Sequence, residues 1–445
     1  MKKTNTTDMT QGNPLRLIIL FTIPLVLGNI FQQLYNIGDA KVVSYFIDEN
    51  ALAAVGLTAV VSNMLIGLIN GFTQGFGIMT ANAFGARDED RIRRYIAGAT
   101  VLTVILVALL SVLAFIYIRP VLELLNTPDE LMDDALSYVK IILMGISFSA
   151  IYNLSANLLR SLGDSRTPLY CLMASIALNI ILDIFFVGSL KWGIKGAAVA
   201  TVISQAVAGL VCMGYGAVHF KRYLPGREDF HVRRDEINDL FLTGLSMGLM
   251  GCIVNIGTIV LQGSINKLGA DVVSAHTAGR RLVDILMSLI YTYGFTMTTY
   301  VSQNAGAGRT DRIKQGVKIA SLIVTVESVV IIAFTWLFAR GIVTWIASTD
   351  NTMICDDATM YCRVMTLFFP VLGPLFILRC TLQGVGRKMV PLVSSGMELT
   401  IKVLSAMWLV PWLGYFGVAL TEPISWTVMT LTLFIGYLLW ARKEA

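Results

Sequence analysis

Long apolar runs dominate this chain and restrict what it can fold into. Between charged or Gly/Pro-rich breaks they lie near 15–46, 51–83, 92–118, 131–158, 168–188, 194–218, 237–266, 271–302, 313–339, 354–378, 390–411 and 415–440. A helix rises about 1.5 Å per residue, so roughly 20 apolar residues cross the hydrocarbon core of a bilayer. Charged residues make up only 14% of the 445, against about a quarter in an ordinary soluble domain. The chain lacks the charge to cover a water-facing surface. The expected fold is an all-α polytopic membrane protein with twelve transmembrane helices.

The longest polar stretch, HFKRYLPGREDFHVRRDE at 219–236, lies at the midpoint. It reads as a linker between two six-helix lobes, 1–218 and 237–445. The lobes are related in sequence. Gly85-Ala86 and Asp90-Arg91-Ile92-Arg93 recur 221 residues later as Gly306-Ala307 and Asp311-Arg312-Ile313-Lys314. Asp133-Asp134-Ala135 and Tyr138 recur at 223 as Asp356-Asp357-Ala358 and Tyr361. Gly163, Pro168 and Leu169 return as Gly386, Pro391 and Leu392, and Gly193 and Gly196 as Gly414 and Gly417. Six helices per repeat is an even number, so both lobes enter the membrane from one side. A pseudo-two-fold along the membrane normal is then expected, with a cavity between the bundles, as in transporters.

Orientation follows the distribution of Lys and Arg rather than the net charge of +5. The N-terminus, the even-numbered loops and the C-terminus hold 23 of the 34 basic residues, with Arg379 counted in the tenth loop. The basic clusters at 87–94, 221–234 and 309–318 and both termini are therefore expected in the cytoplasm, in a cell inner membrane. The same runs read as topology signals and not as a nucleic-acid surface. The polar N-terminus leads into a long apolar run with no cleavage site, which argues against a removable signal peptide. The six cysteines show no CxxC and read as packing residues. The three histidines, 219, 231 and 276, have no metal-ligand spacing, and no nucleophile motif appears. Neither an enzyme nor a cofactor is expected.

Asp39 and Asp183 lie in the first and fifth apolar runs. A carboxylate in the bilayer core costs about 2.5–3.5 kcal/mol even on the lenient insertion scale, so it is rarely there without a use. The fifth run starts inside at Pro168, which places Asp183 about 22 Å along it, in the outer half. Asp39, late in the outward-running first span, belongs to the same half. Tyr138 and Thr201 lie roughly 10 Å deep on the inward-running fourth and sixth spans. Asn179 and Asp183 are i and i+4 and share a face. Two nearby acids in low dielectric do not easily both ionise. Such a group holds a proton, or binds a monovalent cation such as Na⁺ at Asp39, Asn179 and Asp183 with Thr and Tyr oxygens completing the shell.

Repeat symmetry does not explain the acids, since Asp39 maps onto Val260 and Asp183 onto Ala406. Tyr138 has its twin in Tyr361, and Thr201 maps to Glu422. In the second half, Glu398 and Lys402 are i and i+4 and are expected to pair. Glu398, Glu422, Arg280, Asn255, Gln262 and Gln33 are the candidates for a substrate cavity. Pro24, with Gly28 and Gly38, marks the first span as a bent helix and a candidate hinge.

These segments resemble a known family. PLVLGNIFQQLYNIGDAKVVS with the following ALAAVG, then LLRSLGDSRTPLY, NIILDIFFV, GIKGAAVATVISQ, QNAGAGRTDRIK, LQGVGRKMVP and EPISW are similar to the multidrug and toxic compound extrusion (MATE) family. The resemblance covers nearly the whole chain. It implies two six-helix lobes open by turns to cytoplasm and exterior. It also implies export of small organic, often cationic and aromatic, compounds against inward H⁺ or Na⁺. The family's first-lobe cation site maps onto Asp39, Tyr138, Asn179, Asp183 and Thr201. The sodium-linked branch carries an acid on its seventh helix. Here Asp239 lies only at that helix's edge and Asn255 is the nearest polar group, so a second-lobe sodium site is not expected.

The expected function is a monomeric antiporter of small organic compounds in the lipid bilayer. A flippase for a lipid-linked intermediate is the alternative and requires a strongly cationic central cavity. A non-transporting receptor or scaffold leaves both the duplication and the asymmetric acids unexplained.

Overall fold

The computed structural model describes the backbone of residues 6–46, 49–124, 127–349 and 351–444, with side chains except at 34–46, 49–55, 57, 59, 60 and 124. All the regular structure among the described residues is helical. The helices are α1 Pro14–Phe46, α2 Glu49–Gly85, α3 Glu89–Leu124, α4 Asp129–Ser161, α5 Arg166–Asp183, α6 Gly193–His219, α7 Arg234–Asn266, α8 Ala270–Gly306, α9 Thr310–Ala347, α10 Thr352–Leu367, α11 Phe369–Gly384, α12 Met389–Leu404, α13 Val410–Leu413 and α14 Tyr415–Lys443. Ten of these are long and apolar enough to cross a membrane, and α10 with α11, bent by 51°, makes an eleventh crossing. The twelfth helix of the fold is α8, which is too polar to qualify by composition, with Arg280, Arg281 and Asp284 followed by a stretch rich in Ser, Thr and Tyr.

Three breaks interrupt the long helices. The backbone changes direction between α10 and α11 where Pro370 and Pro374 follow Phe368, and proline cannot supply the N–H that would carry the ladder through. This bend carries the span on to Gly384, so Arg379 lies inside α11 and not in a loop, a correction to the sequence boundary. Wide, π-type turns interrupt the other two places: Ile184–Ser189 after α5, and Ser405–Leu409 after α12. Their positions in the two halves correspond.

The duplication extends to the backbone. Gly163 and Gly386 both take positive φ, +91° and +80°, as do Gly193 and Gly414 at +59° and +57°. At Gly163 the requirement is doubled, because a Cβ there would lie 2.3 Å from the Thr7 carbonyl oxygen. The Asp164 carboxylate then accepts from the Arg166 and Thr167 amides, both at 3.0 Å, and caps α5.

The chain divides into two compact units, and the division falls inside helices. One unit is Met1–Asp8 with Ile23–Gly248; the other is Met9–Thr22 with Leu249–Ala445. In the first, α4 packs between α2 and α6, with α3 alongside. Two apolar clusters fill it, one around Phe76, Tyr95 and Leu240 and one around Ile69, Leu122 and Val139. Of residues 219–236, read from sequence as a linker, the ends belong to α6 and α7. Between them two short turns, Lys221–Tyr223 and Glu228–Phe230, are held to α3 by Arg222–Glu89 at 2.6 Å and Arg93–Asp229 at 3.4 Å. The start of α7 is bound to α3 by the Arg94–Glu236 ion pair at 2.8 Å. Its next two turns lie backbone to backbone on α2: a Cβ at Gly75 or at Gly71 would come within 2.7 Å of the Cα of Gly244 or Gly248. Small residues four apart let membrane helices approach this closely.

In the second unit, α8 packs on α9, α10 and α11, and α14 on α10, α11 and α12. The segment Met9–Thr22 belongs to it through four groups, one of them Asn304, whose Nδ2 donates to the Met9 carbonyl at 3.1 Å. Gln303 Oε1 accepts from the Met9 amide at 2.9 Å, Thr22 and Thr296 hydroxyls meet at 2.8 Å, and Arg312 donates to the carbonyls of Gly12 and Met9 at 3.0 and 3.2 Å. The outward faces of α3 and α9 expose Val104, Ile116, Leu322, Val330 and Leu337. Apolar residues on the surface in such bands suit contact with lipid.

Candidate functional site: buried polar groups in each half

In the first unit, α5 and α6 run side by side and Ser175 Oγ donates to the Ser204 carbonyl at 2.9 Å. One turn further along α5 comes Asn179, and one turn further again Asp183. Both are buried, at 2% and 1% exposed. With its amide oriented to pair both polar atoms, Asn179 Nδ2 donates to Asp183 Oδ2 at 2.8 Å and its Oδ1 accepts from the Thr201 amide at 3.2 Å. Thr201 Oγ1 is turned back to the Ala197 carbonyl at 3.0 Å, so it is the backbone of Thr201 that meets Asn179. The wide turn begins at the residue after Asp183, and turns of this kind recur at functional sites because they re-aim a helix face.

Three of the five sequence-predicted residues, Asn179, Asp183 and Thr201, are thus brought together. Tyr138 is half-buried on α4 against the cluster of Ile69 and Val139. Asp39 is carried by α1, and its side chain lies outside the described residues. A buried carboxylate beside an amide and polar oxygens can take a proton or a hard monovalent cation.

The second unit holds a chain of six charged groups of alternating sign. Asp284 Oδ1 meets Arg280 Nε at 2.8 Å, and Arg280 Nη1 meets Glu422 Oε1 at 2.7 Å. Lys402 Nζ lies 3.7 Å from Glu422 Oε1 and 2.9 Å from Glu398 Oε1, and Arg379 Nη2 lies 3.9 Å from Glu398 Oε2. Exposure falls along the series from Asp284, at 44%, to Lys402, at 2%, and is 12% at Arg379, the far end. Each charge faces its opposite, which is the condition for holding charges in a low-dielectric interior. His276 packs edge-on against Tyr361 and Tyr415, with centroids at 5.0 and 6.1 Å.

The expected Glu398–Lys402 pair is therefore present, and Arg280 and Glu422 join it. Asp284 and Arg379 were missed by the sequence reading. Asp284 could have been found four residues after Arg280, a spacing that pairs charges on a helix. Gln262 lies elsewhere, donating to Asn266 at 2.9 Å along its own helix. Asn255 is exposed and Gln33 half-buried. Glu327, also missed, is an acid midway along α9 whose Oε2 is buried without a hydrogen-bond partner. All six cysteines are free thiols, five of them buried.

The MatE family profile matches this chain twice, at residues 24–185 and 247–408, two segments displaced by 223 residues. The probable multidrug resistance protein YpnP of Bacillus subtilis (strain 168) is 25% identical over 431 residues, 97% of this chain and 96% of that protein. The FAD transporter of Shewanella oneidensis is 25% identical over 426 residues, 94% of this chain and 93% of its own. Among solved structures, a MATE protein in the bent conformation superposes with a TM-score of 0.89 at 25% identity, covering 99% of this chain and 98% of that one. An outward-facing multidrug resistance MATE family transporter of the MOP superfamily gives 0.90 at 24% identity, covering 100% and 98%. The duplicated profile, the twelve-helix fold and the full-length relatives agree: the chain belongs to the MatE family of membrane transporters.

Proposed function

We propose that the protein is a secondary active antiporter that exports small organic compounds, cationic or aromatic and drug-like, by alternating access. H⁺ or Na⁺, bound at Asp39, Asn179, Asp183, Tyr138 and Thr201, drives the exchange, and no other cofactor takes part. The observation that carries this reading is the buried Asn179–Asp183 pair joined to the Thr201 amide. A carboxylate buried in a membrane span beside an amide gains from taking up a cation. The names of YpnP and of the multidrug export protein MepA of Staphylococcus aureus, 22% identical over 393 residues, support drug-like cargo.

Arg280, Glu398 and Glu422, with Gln33, Asn255 and Gln262, are proposed to line the path of the substrate. The flippase alternative needs unpaired cationic groups in the membrane, whereas Arg280, Arg379 and Lys402 each face a carboxylate. The protein is proposed to act as a monomer in the cell inner membrane with both termini in the cytoplasm. The test is dye efflux from reconstituted vesicles with pH and Na⁺ gradients imposed separately. Uphill efflux under one gradient is expected. Efflux that never exceeds the rate without a gradient would overturn the reading.

A further inference from the structure

We propose that the second half of the chain is a cation pocket already filled by a cation of its own, the Lys402 ammonium. This rests on the reading of the Asn179–Asp183 group as the site of the exchangeable ion.

The register of the duplication points to it. The two profile matches are displaced by 223 residues, and the same displacement carries Asn179 onto Lys402 and Ser175 onto Glu398. Tyr138 goes onto Tyr361, and Thr201, at 221, onto Glu422. The wide turns Ile184–Ser189 and Ser405–Leu409 follow the two positions in the same order. The first half has an amide at the centre and an acid one turn after it. In the second half Ala406 replaces that acid, a lysine stands at the centre, and the acid lies one turn before it.

The surroundings of Lys402 are those of a bound cation. Its Nζ faces oxygens from three helices: Glu398 Oε1 of α12 at 2.9 Å, Thr258 Oγ1 of α7 at 3.4 Å and Glu422 Oε1 of α14 at 3.7 Å. Room for the stem is provided by Gly257, where a Cβ would lie 2.8 Å from Lys402 Cδ. Arg379 faces the other oxygen of Glu398 at 3.9 Å, and Arg280 shares Glu422 Oε1 with Lys402, at 2.7 Å. A cation on a short tether has an effective concentration that free ions do not match. The second half therefore stays loaded through the transport cycle, and only the first half exchanges an ion.

Replacing Lys402 by Ala removes three methylenes and the ammonium, which are the atoms of propylammonium. The experiment is thermal unfolding of purified full-length Lys402→Ala in propylammonium or in propanol. Propanol fills the same space without the charge. Expected is a saturable upward shift of Tm with propylammonium, absent with propanol, in wild type and in Glu398→Gln/Lys402→Ala. No shift, an equal shift with propanol, or a shift that persists without the Glu398 carboxylate would overturn the proposal. If Lys402→Ala is folded only when amine is present, the yield of monodisperse protein extracted in each additive is compared in its place. These readouts do not involve Asp39 or Asp183, so failure here and failure of the coupling site are separable.

Discussion

Asn179 donates to Asp183 at 2.8 Å across one turn of α5, and the helix widens at the very next residue. The amide thereby fixes one carboxylate oxygen and ties it through Oδ1 to the Thr201 backbone on α6. Removing this link should change ion binding more than folding. A hydrogen bond donated to a carboxylate steadies its ionised form and contributes about 1.5–3 kcal/mol. Asn179→Ala should therefore shift the affinity for the coupling ion by roughly 10- to 100-fold, with H⁺ held more tightly once the amide no longer competes for Asp183. Efflux measured against the concentration of the driving ion checks this, and an unchanged half-saturating concentration would remove Asn179 from the site.

The alternating series in the second unit behaves differently on substitution. Arg280 bridges Asp284 and the buried Glu422. Taking away one partner of a buried pair costs about 3–5 kcal/mol, because the other charge is left unpaired. Arg280→Met should therefore lower Tm strongly. The double variant Arg280→Met/Glu422→Gln should recover much of the loss, and a thermal-unfolding cycle of the four proteins reads the coupling directly.

Gly75 and Gly244 meet through their backbones, with no space for a side chain. A Leu at position 75 must push α2 and the start of α7 apart. Gly75→Leu is expected to destabilise the first unit and to increase labelling of a cysteine placed on that face. Gly226→Ala, on an exposed turn, serves as the control with labelling near wild type.

Pro24 is buried in α1, two residues past the point where the helix passes from one compact unit to the other. Its missing N–H leaves the Leu20 carbonyl without a helical donor and makes this the easiest place for α1 to bend. Pro24→Ala should preserve Tm or raise it while slowing efflux. Unchanged turnover would remove Pro24 from the mechanism.

How far these features can be read from sequence depends on what carries them. Asn179 and Asp183 are visible because i, i+4 spacing fixes a shared face, and Thr201 because helix rise fixes its depth. The repeat is visible because Pro, Gly and Asp at loop positions keep their offsets. Arg379 is hidden by the bend at Phe368, which moves the end of the span beyond the last apolar run. The clasp of Arg312 on the Met9 and Gly12 carbonyls is hidden because backbone acceptors leave no trace in residue type. Tyr138 packs against the cluster of Ile69 and Val139 through its side-chain rotamer, which spacing does not encode.

The assignment of the coupling site is tested most directly by efflux from reconstituted vesicles carrying Asp39→Asn or Asp183→Asn, each under separately imposed pH and Na⁺ gradients. The expected result is that both variants bind dye but no longer accumulate it against its gradient, whichever ion drives the wild type. Normal uphill efflux by both variants under the driving gradient would contradict it.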